Sequence, residues 1–305
     1  MAFNEKRNQN LMQVIKRMHG LVENPDLEKH RQSQDYIGSI LGNSKEVTYT
    51  EVDMDGVRGE WVSVNRPHMR KYVILYCHGG GYSTGSCLYG RTITSKLATA
   101  ASIDVLGLDY RLAPEHPCPA ALDAMRTALE DAWGNPSALY RPGQQARKLV
   151  AGDSAGGNLA LVLTLKLKAE RRFLPRGLVL MSPWTDLTAS GRSYRTKAEV
   201  DPVLDAEYID RMTKAYIPEG ENLENPLISP LFGDFEGFPP VYIQVGENEI
   251  LLSDSVELHK KLQKAGVPAK LDRFKGMWHV FQMSPFRTAA DAMEKSAEFI
   301  CDICR

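Results

Sequence analysis

The segment Gly152-Asp153-Ser154-Ala155-Gly156-Gly157 is the most informative part of the sequence, because it joins a short apolar strand to a helix through a tight turn. Residues 148–151 before it have the pattern of a buried strand, and residues 158–167 after it carry apolar side chains at helical spacing. Only small residues tolerate the sharp backbone turn around the serine, which accounts for the flanking glycines. The G-x-S-x-G pattern in this context predicts Ser154 as a nucleophile at the end of a strand, beside the N-terminus of the next helix.

On both sides of this segment, short apolar runs alternate with helical patterns along most of the chain. A hairpin with an Asp55-Gly56 turn comes first. The predicted strands are 72–76, 103–108, 148–151, 177–181, 241–245 and 270–274, and the predicted helices between them include 119–133, 157–169 and 254–265. This alternation predicts an α/β fold, with a mostly parallel central sheet flanked by helices. Functional groups then belong at the carboxyl ends of the strands.

Two segments lie outside this alternation. Residues 1–45 contain two amphipathic helical patterns, and an insert at about 189–238 separates two strands with extra helix and proline-rich loop. We expect residues 1–45 to form N-terminal cap helices, and residues 46–305 to form one catalytic domain with a cap insertion. In the alternative interpretation, the N-terminal helices pack on the outside or mediate contacts in a homodimer.

A glycine run upstream of the serine predicts the anion-stabilising groups. His78-Gly79-Gly80-Gly81 follows the strand 72–76, and consecutive glycines allow peptide N–H groups to face a cavity. In hydrolases with this pattern, such a loop and the residue after the nucleophile form the oxyanion hole. We therefore expect Gly79, Gly80 and Ala155 to be the donors. His78 is interpreted as structural, bracing the loop through side-chain hydrogen bonds.

The general base should be a histidine late in the chain, because the partners of a G-x-S-x-G serine follow in the order Ser, Asp or Glu, His. Of the seven histidines, only His259 and His279 follow Ser154 at a useful distance. His259 falls inside a predicted helix, whereas His279 lies in the loop just past the strand 270–274. His279 is the predicted base.

The acid should follow the strand 241–245, which leaves Glu247, Glu249 and Asp254. Asp254 and Glu257 form a capping-box pattern before an apolar-periodic helix, and that local role explains Asp254 without catalysis. Glu249 lies further into the loop than Glu247, where its side chain can reach across to His279. We favour Glu249, while Glu247 and Asp254 stay open.

Composition excludes several other classes of function. Lys and Arg number 37 against 38 Asp and Glu, a net charge of -1 without long runs of one sign, which argues against nucleic acid or an anionic membrane surface as a partner. The five cysteines show no metal-binding pattern, and Cys301-x-x-Cys304 is interpreted as a helix end. No apolar run reaches the roughly 18 residues of a membrane span. We expect a cytoplasmic protein without metal or organic cofactor.

With these motifs placed, the chain from about residue 45 to its end resembles the hormone-sensitive lipase-like (family IV) bacterial carboxylesterases. The matching pieces are His78 to Tyr82, Asp109 to Glu115, Gly152 to Gly157, Ser182-Pro183-Trp184, Asp201-Pro202 and Met277-Trp278-His279. The resemblance implies an α/β-hydrolase fold with a helical cap, and a buried structural network around Tyr110, Arg111 and Glu115. The family's usual acid is an aspartate in an Asp-Pro-Leu pattern, and this chain has Glu249-Ile250-Leu251 instead, a replacement found in some members.

The implied activity is hydrolysis of small esters of short acyl chain or compact shape, through a Ser154-His279-Glu249 triad and an acyl-enzyme intermediate. One alternative is amidase or peptidase activity on the same triad. Another is a small-molecule receptor, because the gibberellin receptors resemble this family. Those receptors lack the catalytic histidine, however, and His279 is present here.

Overall fold

The structure, a computed structural model, describes residues 2–22, 24–68, 71–134 and 147–305. Its centre is an eight-stranded sheet with the strand order β1-β2-β4-β3-β5-β6-β7-β8. The strands are β1 (Val47–Met54), β2 (Val57–Val64), β3 (Tyr72–Cys77), β4 (Asp104–Leu108), β5 (Arg147–Asp153), β6 (Leu178–Met181), β7 (Val241–Gly246) and β8 (Ala269–Phe274). The hairpin β1-β2 joins antiparallel to β4, and the strands from β4 to β8 in the sheet order run parallel. The predicted α/β fold is confirmed.

Helices cover the sheet. They are α1 (Ala2–Val22), α2 (Leu27–Leu41), α3 (Cys87–Ala101), α4 (Ala120–Gly134), α5 (Ala155–Ala169), α6 (Ser193–Thr196), α7 (Ala206–Tyr216), α8 (Leu252–Lys264) and α9 (Arg287–Cys304). Strands β3 and β7 are buried along their whole length. Burial on both faces favours apolar side chains, so β3 appears in the sequence as an unbroken apolar run, and β7 as an apolar run interrupted by the buried Gln244.

Helix α2 is fixed to the body by polar contacts. The Arg31 guanidinium donates to the Ser83 carbonyl at 2.9 Å and to the Ala113 carbonyl at 3.0 Å, and it forms two 2.8 Å bonds with the Glu115 carboxylate. The Gly85 N–H donates to Gln34 Oε1 at 3.1 Å. These contacts attach α2 to the loop that follows the three glycines. The resemblance had implied that Glu115 belongs to a buried network. In the structure it is an exposed partner of Arg31 instead.

The segment between β6 and β7 packs over the same glycine loop. Helix α7 places Met212 where a side chain at Gly81 would overlap it, and Tyr216 stacks on Tyr82 with ring centroids 3.7 Å apart. Tyr82 in turn donates its hydroxyl to Asn158 Oδ1 on α5 at 2.6 Å. The glycine loop is therefore held between α5 and the insert.

Candidate active site

The turn at Ser154 has the strained backbone that its sequence predicts. Ser154 has φ 53° and ψ -122°, between the end of β5 and the start of α5. A side chain at Gly152 would overlap the Gly156 carbonyl, and one at Gly156 would overlap the Cys77 carbonyl. Glycine is thus required at both positions, and the turn leaves the partly exposed serine at the carboxyl end of the central strand.

Three side chains from separate loops meet at this turn. His279, past the end of β8, lies with Nε2 2.9 Å from Ser154 Oγ. Its Nδ1 lies 2.7 Å from Oε2 of Glu249, which follows β7. These distances are those of a nucleophile, a base and an orienting acid linked by hydrogen bonds. The structure therefore brings together the three side chains selected from the sequence.

The Glu249 carboxylate is enclosed by donors. It is fully buried, and its Oε1 accepts a 2.9 Å bond from the Ser182 hydroxyl and a 2.7 Å bond from the Gly246 N–H. With Oε2 facing His279, both oxygens are engaged. Such bonds compensate a buried carboxylate for the loss of water and fix the direction in which it faces the imidazole.

The competing candidates have other partners. Glu247 forms a 3.0 Å ion pair with Arg273, and the His259 Nε2 lies in α8, 3.3 Å from the Ala269 carbonyl. Asp254 is not the helix cap predicted from its pattern, because Leu251 occupies that position. Its buried Oδ2 instead accepts the Thr185 and Asp186 N–H groups at 2.8 and 2.9 Å.

The glycine loop differs from the sequence prediction at one residue. The Gly79 N–H donates to Asp153 Oδ1 at 2.9 Å, so it is already engaged and the prediction of Gly79 as an oxyanion donor is wrong for this arrangement. In the described part of the chain, the N–H groups of Gly80, Gly81 and Ala155 have no such acceptor. Gly80 also lines the cavity that contains Ser154. Sequence reasoning missed Gly81.

His78 supports the loop from behind. Its Nδ1 lies 2.8 Å from the Gly79 carbonyl, its ring stacks on Tyr110 at 4.1 Å, and Tyr110 donates its hydroxyl to the His78 carbonyl at 2.7 Å. Burial lowers the pKa of His78, which favours the neutral imidazole. His78 and Tyr110 thus form a buried support, whereas Arg111 is exposed.

Asp201 is a further buried residue beside the site, and sequence reasoning gave it no role. One of its carboxylate oxygens accepts the N–H groups of Val203 and Leu204 at 2.9 and 3.0 Å, and the other accepts the Ile250 N–H at 2.8 Å. Ile250 directly follows Glu249. Asp201 therefore joins the insert to the loop of the predicted acid, a long-range connection that the sequence motif Asp-Pro does not reveal.

Ser154 and His279 open onto a cavity of about 340 Å³ with a mainly apolar lining. Helix α1 contributes Val14, Ile15 and Met18 to its wall, and the insert contributes Val203, Leu204 and Tyr208. Leu11, Met12 and Ile15 also pack against the buried cluster that contains Trp278 and Phe281. Both segments outside the sheet pattern thus border the space in front of Ser154.

Three other features are absent from the described ranges, namely a metal-binding cluster, a membrane-spanning helix and a disulfide. No cluster of three or more His, Cys, Asp or Glu side chains with metal-binding geometry occurs there. The described helices include none that is both long and apolar enough to cross a membrane. The five cysteines form no disulfide in this part of the structure.

Comparison with known proteins identifies the class. A family model described as the alpha/beta hydrolase fold matches residues 74–283. An esterase from Acinetobacter venetianus is 35% identical over 268 residues, covering 87% of this chain and 86% of the relative. An acetyl-hydrolase from Streptomyces hygroscopicus is 36% identical over 264 residues, covering 85% and 84%. The chain therefore belongs to the α/β-hydrolase family.

Similarity to a solved structure shows which group of α/β-hydrolases the chain belongs to. The crystal structure of a hormone-sensitive lipase from a metagenome library superposes with a TM-score of 0.89 at 34% identity, covering 98% of both chains. The chain is accordingly a serine hydrolase of the hormone-sensitive lipase-like esterases, as its motifs predicted.

Proposed function

We propose that this protein is a carboxylesterase for small esters, with Ser154 as nucleophile, His279 as base and Glu249 as acid. The observation that carries the proposal is the continuous hydrogen-bonded path between the three side chains, 2.9 Å from Ser154 to His279 and 2.7 Å from His279 to Glu249. The esterase and acetyl-hydrolase names of the relatives support the same reaction.

The proposed reaction has two steps. His279 takes the Ser154 proton through Nε2 while the Ser154 oxygen attacks the ester carbonyl, and the base then returns the proton to the leaving alcohol. Water, activated by the same imidazole, cleaves the acyl-enzyme. Glu249 holds the Nδ1 proton and stabilises the imidazolium that forms in each step.

The negative oxygen of each tetrahedral intermediate requires N–H donors. We assign these to Gly80, Gly81 and Ala155, whose N–H groups have no acceptor within the described residues, and not to Gly79, whose N–H donates to Asp153. The Ala155 N–H also lies at the N-terminus of α5, where the helix dipole favours negative charge.

Substrate size follows from the cavity. We propose that residues 1–45 and the insert at about 189–238 act as caps, because both border the space in front of Ser154. A space of about 340 Å³ must hold acyl and alcohol groups together, which favours short or compact esters over long-chain triglycerides.

The test is a series of p-nitrophenyl esters from acetate to palmitate, run beside the matching p-nitroanilides. We expect the highest kcat/KM at acetate to butyrate, little turnover of palmitate, and anilide rates far below the ester rates. Ser154→Ala should retain the fold and lose activity by about a million-fold. A folded Ser154→Ala enzyme with near-normal ester turnover would refute the assignment, and anilide rates equal to ester rates would favour an amidase.

A further inference from the structure

Asp153, the residue before the proposed nucleophile, holds an unusual position for a carboxylate. It is 1% exposed, and no lysine or arginine pairs with it in the described part of the chain. Its Oδ1 accepts the Gly79 N–H at 2.9 Å and a hydrogen bond from the Tyr76 hydroxyl. One carboxylate oxygen therefore joins the end of β5 to the end of β3 and to the first glycine of the loop.

The carboxylate also packs closely against that glycine. A side chain at Gly79 would overlap Asp153 Oδ2, so the loop passes directly over the carboxylate. The next two residues, Gly80 and Gly81, have φ values of 111° and 61°, a backbone that only glycine adopts readily. Three glycines in succession have little intrinsic preference for one conformation, so the direction of their N–H groups depends on what holds the loop at its start.

Burial of this group carries a cost in stability. Burial raises the pKa of Asp153 to about 6, although the Tyr76 hydrogen bond and the nearby His279 act in the opposite direction. Burying a carboxylate that has no cationic partner among the described residues lowers the free energy of unfolding. Groups that cost stability are found preferentially where function needs their geometry.

We propose that Asp153 is a positioning residue, which fixes the oxyanion loop relative to Ser154 by holding the Gly79 N–H. This inference rests on the proposed function. Asp153 precedes Ser154 in the chain and bonds Gly79, one residue before the proposed donor Gly80, so it sets the distance between nucleophile and donors. Asp153 also borders the cavity in front of Ser154, but in this role it acts through the loop and not on the reacting atoms.

The experiment compares Asp153→Ala with Asp153→Asn on p-nitrophenyl acetate. Alanine removes the acceptor, and we expect kcat to fall by about 100-fold, the loss typical of one oxyanion donor, with KM changed less than about threefold. Inhibition by a trifluoromethyl ketone, whose adduct with the serine places an anionic oxygen among the same donors, should weaken by a similar factor. Asparagine keeps an oxygen that accepts both bonds, so kcat should recover to within about tenfold of wild type.

The matched control is Asp254→Ala, which removes another buried carboxylate that accepts two backbone N–H groups away from the site. It should lower the melting temperature while kcat stays within about threefold of wild type. If Asp153→Ala does not fold, Tyr76→Phe takes its place, because it removes one of the two donors to Oδ1; kcat should then fall at least about fivefold at constant KM.

Two results would overturn the proposal: a folded Asp153→Ala or Tyr76→Phe enzyme with wild-type kcat, or an Asp153→Asn enzyme as impaired as Asp153→Ala. Failure of the proposed function looks different. It would appear as a wild-type protein that hydrolyses no ester, or as undiminished turnover by Ser154→Ala, and either would remove the basis of this inference as well.

Discussion

The Ser182 hydroxyl donates a 2.9 Å hydrogen bond to Oε1 of Glu249, the carboxylate oxygen opposite the one that faces His279. The same hydroxyl oxygen accepts the Val280 N–H at 3.2 Å. Ser182 thus connects the loop of the proposed acid to the residue that follows the proposed base. It also adopts φ 49°, a left-handed backbone that few non-glycine residues hold without surrounding support.

This connection predicts that Ser182→Ala lowers kcat by about tenfold with little change in KM, because a hydrogen bond to a charged group contributes about 1.5 to 3 kcal/mol. Steady-state kinetics on p-nitrophenyl butyrate would measure it. Ser255→Ala is the matched control, since Ser255 is also fully buried but its hydroxyl has no partner among the described residues. Equal kinetics for the two variants would contradict the prediction.

The identity of the acid can be tested by ranking three alanine variants. Glu249→Ala should reduce kcat by about 10⁴-fold, since the base loses its tautomer and its charge partner. Glu247→Ala removes only the ion pair with Arg273, and Asp254→Ala removes the acceptor for Thr185 and Asp186, so both should stay within about threefold of wild type. If Asp254→Ala is the most impaired variant while folded, as judged by circular dichroism, the acid is misassigned.

Stability should depend on pH through Asp201. Burial raises the pKa of Asp201 to about 6, above its ordinary value of 3.8. Between about pH 4 and pH 6, the folded protein therefore keeps a proton that the unfolded chain has released, and the free energy of unfolding falls as pH rises through that window. Asp201→Asn cannot titrate, so its unfolding free energy should fall less steeply there.

Urea unfolding at pH 4, 5, 6 and 7 would measure this difference. Asp205→Asn serves as control, because Asp205 lies in the same insert with its side chain exposed, and we expect its curve to parallel that of wild type. Parallel curves for wild type and Asp201→Asn would show that Asp201 does not titrate as its burial implies.

The cap role of α1 predicts a change in substrate range. Removing residues 1–22 takes away Val14, Ile15 and Met18 from the cavity wall, while Arg31 still fixes α2 to the body. The ratio of kcat/KM for octanoate over acetate should rise at least about tenfold, because α1 then no longer limits the length of acyl chain that fits in front of Ser154. Tyr36→Ala, an exposed position on α2 outside the cavity wall, should leave the ratio unchanged. An unchanged ratio in a folded, active truncation would show that α1 is only an outer layer.

Most strands of the parallel part were predictable because burial on both faces leaves short apolar runs in the sequence, although β8 is only partly buried and also carries Lys270, Asp272 and Arg273. Each predicted strand of the parallel part lies within two residues of its observed bounds. Helix α3 gave a weaker signal, since its buried face includes Gly90, Thr92 and Ser95 and its apolar periodicity is interrupted. The sequence did not single it out as a helix.

The errors share one physical origin, which is a partner far away in the chain. Asp254 has the local pattern of a cap, yet the N–H groups that donate to its carboxylate belong to Thr185 and Asp186 on another loop. The sequence does not distinguish Gly79 from Gly80 and Gly81, and only the fold brings the Gly79 N–H to Asp153. Glu115 was expected to be buried, but it lies at the surface, where it pairs with Arg31 from the N-terminal segment.

The separation of the three proposed triad residues has a consequence for biosynthesis. Ser154 and His279 are 125 positions apart, and the loops that carry Glu249 and His279 follow β7 and β8, two neighbouring strands at one edge of the sheet. Parallel strands pair through contacts between residues far apart in the sequence, and such contacts form slowly. A chain on the ribosome is therefore catalytically silent until its last strand has emerged and paired. After denaturation, esterase activity would return only once β8 has paired with β7, a condition that a spectroscopic signal of helix formation does not report.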